Sequence, residues 1–368
     1  MKLIAQVKLT PTAEQYQSLL NTLEKVNDAA NYISDHAWET RTFRQYDLHH
    51  MLYYDLRSRF NLTAQIVVRV LAKVADAYKA GRTTKRIFNR HGSIAYDKRI
   101  LSWKTTANTI SIWTTAGRLT IPFVAGKRQT ELIQHLFGEA DLFYRDGDFY
   151  LFQTCEVEEP PPGEVKEFLG VDLGIVNIAA DSDGAIYSGN QVNGLRKRHA
   201  KLRAKLQSKG TKPAKRLLKK RSKKEQRFAR YINHCISKRL VAKAKDTGRG
   251  IALEDLKGIR DRVTVRKAQR RQHSSWAFAD LRAKIEYKAK LKGVLVLNVD
   301  PKNTSRTCPV CGCVDKHNRP SQSLFSCISC KYSALADTVA AGNISRRANV
   351  NWPNISPAPD GDRAGISP

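Results

Sequence analysis

The sequence has no long apolar run, and it opens without an apolar segment of the secretory type. No hydrophobic stretch approaches the length of a membrane span, so we expect a soluble protein with no membrane partner. The missing secretory segment predicts a cytoplasmic location in which cysteines stay reduced. The nine histidines form no HxH or HExxH arrangement, so none is a candidate metal ligand or general base.

Acidic residues are scarce. The 368 residues include 64 Lys and Arg but 34 Asp and Glu, which gives a formal net charge of +30. So large a surplus of one sign repels itself in a compact state unless a polyanion neutralises it. Nucleic acid is the partner that this charge favours. An anionic membrane is the weaker alternative, because the basic residues do not lie on a helix with a hydrophobic face and aromatic anchors.

Cysteines are few, but four of them form a pattern. Cys308 and Cys311 make one C-x-x-C pair, Cys327 and Cys330 make a second, and fifteen residues separate the pairs. This spacing is typical of a zinc ribbon, in which two knuckles supply four thiolates to one structural Zn²⁺. Two disulfides or four buried thiols are the alternatives, and a reducing compartment disfavours the disulfides. Cys313 lies between the pairs and is either a bystander or a substitute ligand.

The first half of the chain changes its hydrophobic period twice. Lys2–Leu9 alternates as a strand, residues 11–94 show helical spacing, and residues 95–160 alternate again. We therefore expect an all-β domain formed by residues 1–10 and 95–160, which the helical block interrupts. The run Pro160-Pro161-Pro162-Gly163 marks the expected main domain boundary.

Two apolar strands of the second half each carry one carboxylate. Asp172 lies in the strand Phe168–Gly174 and Glu254 in the strand Gly250–Leu256, and Asp337 opens a helical segment after the second cysteine pair. A carboxylate in an apolar strand is costly unless something compensates it, and a metal ion does so. For Asp172 taken alone, a strand-end residue that caps a loop is the alternative.

Together, Asp172, Glu254 and Asp337 predict a divalent-metal site. A small mixed sheet can bring the two strand residues side by side, and the helix then presents the third carboxylate. Three crowded carboxylates repel one another, so they persist by holding cations. Oxygen ligands select Mg²⁺ or Mn²⁺, and two such ions about 4 Å apart activate a water and stabilise the leaving oxygen of a phosphodiester. The expected chemistry is ribonuclease-H-like hydrolysis.

A strongly basic segment lies between the two strands. Residues 196–230 contain seventeen Lys or Arg and a single acid, Glu225. The pattern predicts a pair of basic helices around Gly210–Pro213. A charge run is often only a solvated face, but this density and single sign favour a surface that faces phosphates.

Several of these segments resemble the RuvC-like domain of the TnpB-type proteins of insertion sequences, which are relatives of the compact type V CRISPR effectors. The similarity covers about residues 165–345 and rests on FLGVDLGIVNIA, GIALEDLKG, SSWAFADLRAKIEYKAKLKG and VDPKNTSRTCPVCG…CISC…ALADTVAAGNI. It implies a multidomain α+β protein that begins with a β-barrel wedge domain and an inserted helical recognition domain. The implied later parts are a RuvC/ribonuclease-H-like α/β nuclease domain (165–303 and 335–349) and a zinc-ribbon insertion (304–334). The end of the chain is rich in Pro, Gly and Asp and lacks periodicity, so we expect a disordered tail at 350–368.

The resemblance implies a transposon-encoded, RNA-guided DNA endonuclease. Its partners would be a structured guide RNA and double-stranded target DNA, which it would cleave next to a short transposon-adjacent motif. The family's catalytic, magnesium-binding carboxylates fall on Asp172, Glu254 and Asp337, and its zinc ligands fall on the four paired cysteines. Candidate contacts to the adjacent DNA motif are Tyr53, Tyr54, Arg57 and Trp103, although the sequence does not single them out and a place in the core is the alternative for the aromatic residues.

One position departs from the family pattern. Val339 stands where the last motif commonly has Asn, whereas Asn343 is kept. This difference motivates an alternative, an RNA-guided repressor with an impaired nuclease. A compact type V CRISPR effector and a transposase that performs strand transfer are further alternatives.

Overall fold

The structure, a computed structural model, describes residues 1–255 and 278–352. The chain divides into two units, Met1–Glu158 and Glu159–Pro368, and the division falls directly before the proline run at 160–163. Trp276, expected near the start of a helix, lies outside the described residues, as do residues 353–368 of the expected disordered tail.

Seven antiparallel strands form the sheet of the first unit. They are β1 (Lys2–Leu9), β2 (Ile94–Tyr96), β3 (Leu101–Lys104), β4 (Thr109–Thr114), β5 (Gly117–Val124), β6 (Leu136–Arg145) and β7 (Asp148–Glu156). Their order across the sheet is β2-β6-β7-β1-β5-β4-β3. In β1, Ala5, Val7 and Leu9 are buried and the residues between them are exposed, as the alternation predicts. The sheet nearly closes, since Trp103 Nε1 on β3 donates a 3.0 Å hydrogen bond to Gln153 Oε1 on β7.

Helices fill one side of this sheet. They are α1 (Ala13–Thr40), α2 (Gln45–Phe60), α3 (Ala64–Lys79) and the short α4 (Lys127–Leu132). At the start of α1, Thr12 and Gln15 form a capping box that satisfies two otherwise orphaned amides. Leu23, Val70 and Ile112 belong to one continuous core that joins α1–α3 to the sheet. The helical block is therefore anchored on the sheet that it interrupts.

The second unit contains a mixed sheet of five described strands. They are β8 (Phe168–Asp172), β9 (Asn177–Asp181), β10 (Ile186–Ser188), β11 (Gly250–Glu254) and β12 (Val296–Val299). Their order is β10-β9-β8-β11-β12. β8, β9 and β10 form the expected antiparallel meander, and β11 is parallel to both β8 and β12. The carboxyl ends of β8 and β11 therefore lie at the same edge.

Helices cover both faces of this second sheet. The helices of this unit are α5 (Asn190–Lys209), α6 (Lys212–Arg221), α7 (Lys224–Asp246), α8 (Phe278–Lys290) and α9 (Ala336–Asn351), and α6 packs against α5. On one face, Leu240 of α7 and Ile285 of α8 share a core with Leu169. On the other face, Ile344 of α9 shares a core with Phe168. Among the helices of the described ranges, none is long and apolar enough to cross a membrane.

A small ribbon lies between β12 and α9 in the chain. Its strands are β13 (Leu324–Ser326) and β14 (Ser333–Leu335), which pair antiparallel. Phe325 is fully buried and packs with Cys308, Cys327 and Val339. The ribbon thus shares its core with the beginning of α9.

Candidate functional site

Asp172 and Glu254 lie side by side at the carboxyl ends of β8 and β11. The parallel register pairs Val171 with Leu253, so the next residue of each strand stands at the same level. Because side chains alternate along a strand, both carboxylates share the face of Phe168, which α9 covers. The two strand carboxylates predicted from the sequence are therefore neighbours.

Asp337 reaches the same edge from the first turn of α9. The helix lies directly on β8, because a Cβ added at Gly170 would overlap the carbonyl of Ala341. Asn177 Nδ2, at the start of β9, donates to Asp337 Oδ2 at 2.9 Å. Arg319 Nη2, from the ribbon, donates to Asp337 Oδ1 at 3.3 Å. Neighbours on two different elements thus hold both oxygens of Asp337.

The charge of Asp172 is disfavoured by its surroundings. Burial, and then the nearby Glu254 and Asp337 carboxylates, raise the pKa of Asp172 to about 7, while Arg319 opposes this shift. Burial also raises the pKa of Glu254, against the hydrogen bond from Thr304. A divalent cation favours the ionised form of such groups. The donor set is all oxygen, so it fits Mg²⁺ or Mn²⁺.

The carboxylate oxygens do not converge on a single point. Within residues 1–255 and 278–352, the four paired cysteines form the one group of candidate ligands whose donor atoms all lie within 4.8 Å of one another. The three acids form no such group there. Instead, the guanidinium of Arg319 supplies positive charge at this edge.

The paired cysteines lie together as their spacing predicts. Cys308 Sγ is 3.6 Å from Cys330 Sγ, and Cys311 Sγ is 3.5 Å from Cys327 Sγ. All four are free thiols rather than disulfides. The backbone N–H of Cys330 points at Cys327 Sγ and lowers the pKa of that thiol. Four sulfurs in this arrangement fit a tetrahedral Zn²⁺, and Cys313 lies outside the group.

Three polar side chains at the acids were not identified from the sequence. Thr304 Oγ1 lies 2.5 Å from Glu254 Oε1, and Asn177 and Arg319 contact Asp337. Asn177 lies within the motif FLGVDLGIVNIA. The other two come from the aperiodic residues around the cysteines, where hydrophobic spacing gives no signal.

The last motif places two of its residues away from the acids. Val339 is 4% exposed and packs in the ribbon core with Cys308. Asn343 Nδ2 donates to the carbonyls of Thr304 and Thr307 at 2.7 and 2.8 Å. Val339 therefore makes an apolar contact and does not stand among the carboxylates.

The basic segment 196–230 forms the larger part of α5, all of α6 and the start of α7. α5 ends at Gly210, whose φ of 63° is left-handed, so the expected break is present. Glu225 lies 3.4 Å from Arg196 and 3.6 Å from Arg203. Every Lys and Arg of the segment except Arg196 and Arg221 is exposed. The surface can therefore face a polyanion.

The aromatic candidates for DNA contact separate into two kinds. Tyr54 is 80% exposed on α2, whereas Tyr53 stacks on His49. Trp103 packs edge-on against Phe123 inside the curled sheet. Trp103 is therefore a structural residue, and Tyr54 keeps a ring available to a partner.

Parts of the sequence match two protein families and a set of known relatives. Residues 152–257 match the family described as probable transposase, and residues 278–344 match the one described as Cas12f1-like, TNB domain. A TnpB-like protein of Methanocaldococcus jannaschii is 32% identical over 200 residues, which cover 51% of this chain and 71% of the relative. The chain belongs to the family of TnpB-like proteins.

Two further relatives carry names of nucleases. The CRISPR-associated endodeoxyribonuclease Cas12f1 of Syntrophomonas palmitatica is 31% identical over 232 residues, 55% of this chain and 45% of the relative. The putative RNA-guided DNA endonuclease InsQ of Escherichia coli is 28% identical over 219 residues, 54% of this chain and 53% of the relative. The chain thus spans about half the length of these two relatives.

The fold has a counterpart among solved structures. The mini-RNA-guided endonuclease CRISPR-Cas_phi3 matches with a TM-score of 0.56, over 95% of this chain and 92% of that chain. The sequences are 9% identical, so the likeness concerns the fold alone.

Proposed function

We propose that the chain is an RNA-guided DNA endonuclease that hydrolyses phosphodiesters at Asp172, Glu254 and Asp337. The observation that carries the proposal is the meeting of these carboxylates, from β8, β11 and α9, at one edge of the second sheet. The curled sheet of the first unit is then the wedge domain and α1–α3 the recognition domain. The second unit is the RuvC-like nuclease domain, with the ribbon as its insertion.

The residues of the chain prepare this edge for metal-assisted hydrolysis. The three carboxylates would hold Mg²⁺ or Mn²⁺, which supplies an activated water and stabilises the leaving oxygen. Asn177 fixes one oxygen of Asp337, so the carboxylate is oriented before a cation is bound. Arg319, whose guanidinium now donates to Asp337, would donate to a phosphate oxygen of the scissile strand when Asp337 serves as a metal ligand.

Binding of nucleic acid is assigned to the basic helices. Pairing between guide and target reads the sequence, and the protein holds the A-form heteroduplex by its backbone. The exposed Lys and Arg of residues 196–230 supply that contact. Glu225 forms ion pairs with Arg196 and Arg203, two turns apart on α5, and restrains the exposed Arg203, which reduces the side-chain entropy that binding must remove.

The cysteine cluster is proposed to hold one structural Zn²⁺. Its ligands are the free thiols of Cys308, Cys311, Cys327 and Cys330. Zinc would close the ribbon from which Arg319 and Thr304 reach the acids. A structural zinc therefore supports the nuclease edge without taking part in hydrolysis.

The alternative of a nuclease-impaired repressor rests on Val339. The position of Val339 in the ribbon core weakens this alternative, because the residue is packed with Cys308 and Phe325, and all three acids are present. A type V CRISPR effector would differ in the source of its RNA. A strand-transfer transposase, which the family description in residues 152–257 favours, would act without a guide.

The test begins with RNA that copurifies when the protein is expressed with its flanking DNA. Sequencing identifies the guide, and the purified particle is then incubated with Mg²⁺ and plasmids that carry a matching target next to random bases. We expect cleavage of those plasmids that carry one short motif. Asp337→Ala should abolish cleavage and leave RNA content and target binding nearly unchanged.

Asp246→Ala is the matched control, because it removes an exposed carboxylate at the end of α7. This variant should cleave like the wild type. Cleavage that survives Asp337→Ala would contradict the assignment of the site. Strand transfer by protein free of RNA would support the transposase instead.

A further inference from the structure

Thr304 is a buried polar residue that contacts one of the three acids. It is 1% exposed and lies in the loop that leads from β12 into the ribbon. Its hydroxyl oxygen lies 2.5 Å from Glu254 Oε1 and 3.0 Å from the carbonyl of Pro301. A hydroxyl has one proton to donate, and the ionised carboxylate is the stronger acceptor. The hydroxyl therefore holds one oxygen of Glu254.

The backbone of Thr304 is held by a hydrogen bond from α9. Asn343 of α9 is 7% exposed, and its two amide protons go to the carbonyls of Thr304 and Thr307. Both donors of this buried amide are used, so the loop cannot shift without leaving them unsatisfied. The same helix carries Asp337 in its first turn.

These contacts form a chain from α9 through the loop to β11. We propose that Thr304 is a positioning residue, which restricts the orientation of the Glu254 carboxylate and so prepares it to bind a divalent cation together with the other two acids. Asn343 is its anchor on α9. The inference rests on the proposed function of the three acids and adds residues that orient one of them.

The physical reason is the cost of arranging ligands at the moment of binding. An ordered carboxylate loses less rotamer entropy when a cation arrives. Partners that orient metal-binding carboxylates typically change metal affinity by about 10–100-fold when removed. Removal of the Thr304 hydroxyl should therefore weaken cation binding without changing the number of ligands.

The test uses the full chain, freed of nucleic acid at high salt and loaded with zinc. Binding of Mn²⁺ is followed by the electron paramagnetic resonance signal of the free ion. We expect Thr304→Val, which keeps the shape and removes the hydroxyl, to bind Mn²⁺ about tenfold more weakly. Thr304→Ser restores the donor and should bind like the wild type.

Thr307→Val is the matched control in the same loop, because the hydroxyl of Thr307 bonds to the carbonyl of Asn303 and not to an acid. Its Mn²⁺ affinity should equal that of the wild type. If Thr304→Val does not fold, as judged by its melting without Mn²⁺, Thr304→Ala and Thr307→Ala replace the pair.

The outcomes separate this inference from the function on which it rests. Wild-type binding that Asp172→Asn removes, together with unchanged binding in Thr304→Val, would overturn the positioning role alone. Equal weakening in Thr304→Ser and Thr304→Val would also overturn it, since the donor would then be irrelevant. A wild type that binds no Mn²⁺ through Asp172 would overturn both.

Discussion

Asp337 and Asp172 differ in how their surroundings treat a negative charge. Asp337 receives two side-chain donors, Asn177 and Arg319. Burial and the two neighbouring carboxylates disfavour the charged form of Asp172, and its pKa rises to about 7. Without a divalent cation, ionisation of Asp172 therefore opposes folding.

The raised pKa of Asp172 predicts that the effect of Asp172→Asn on the melting temperature depends on pH. The pKa of Asp172 is about 7 in the folded protein and about 3.9 in the unfolded chain. The folded state binds the proton more tightly, so this group's contribution to stability falls as pH rises between the two values. In EDTA at pH 8, Asp172→Asn should melt about 5 °C above the wild type. The difference should approach zero at pH 4.

Differential scanning calorimetry across this pH range measures the effect. Asp246→Asn serves as the control, because its exposed carboxylate should give no such trend. A variant Asp172→Asn that melts below the wild type at pH 8 would contradict the assigned cause, which is burial beside two like charges.

Among the structural elements, the ribbon places its side chains through one buried amide. Asn318 is fully buried, and its Nδ2 donates to the carbonyls of Arg306 and Cys313. Its Oδ1 accepts the N–H of Ile328. One side chain thus joins both cysteine knuckles, and the next residue is Arg319. Correct folding of the two knuckles therefore fixes the position of Arg319, the arginine that contacts Asp337.

The cysteine cluster of the ribbon predicts that Cys308→Ser and Cys313→Ser differ in zinc content and in stability. Cys308→Ser should remove most of the zinc and lower the free energy of unfolding by more than about 3 kcal/mol, because binding energy at a structural site is folding energy. Cys313→Ser should keep one zinc per chain, since Cys313 lies outside the cluster. Elemental analysis and denaturant unfolding measure both. Unchanged zinc content in Cys308→Ser would contradict the ligand assignment.

Hydrophobic period predicted elements better than it predicted contacts between them. The strand at Lys2–Leu9 and the break at Gly210 were readable because apolar spacing and glycine report local conformation. Asp172 and Glu254 were proposed because a carboxylate in an apolar strand is unusual, whereas Asp337 was proposed from its place in a helical segment after the second cysteine pair. Thr304 and Arg319 were not, since hydrogen bonds between distant, aperiodic segments leave no local pattern.

For the molecule as a whole, charge is the dominant property. The net charge is +30, and residues 196–230 hold seventeen basic residues against one acid. The exposed positions of that segment give a concentrated positive surface within the second unit. Binding through such a surface releases counterions, and its affinity falls steeply with salt.

The slope of that salt dependence is the measurable consequence. Replacement of three exposed residues of α6, Lys215, Arg216 and Lys219, by Ala should lower the slope of log K against log salt by about 2–3. Affinity for an RNA–DNA heteroduplex of about 20 base pairs, measured by fluorescence anisotropy, gives the slope. The control removes the same charge from Lys98, Lys104 and Lys127 of the first unit. An unchanged slope in the α6 variant would show that these three residues of α6 face solvent and do not contact phosphates.

The lie of α9 on β8 also has a consequence for how the protein is made. Asp172 leaves the ribosome well before Asp337, and at about 5–20 residues per second the interval is on the order of ten seconds. During that time the nascent chain contains Asp172 and later Glu254, but it lacks α9, the helix that packs on β8 at Gly170 and carries Asp337. On the proposed function, a partly synthesised chain cannot cut the DNA of its host.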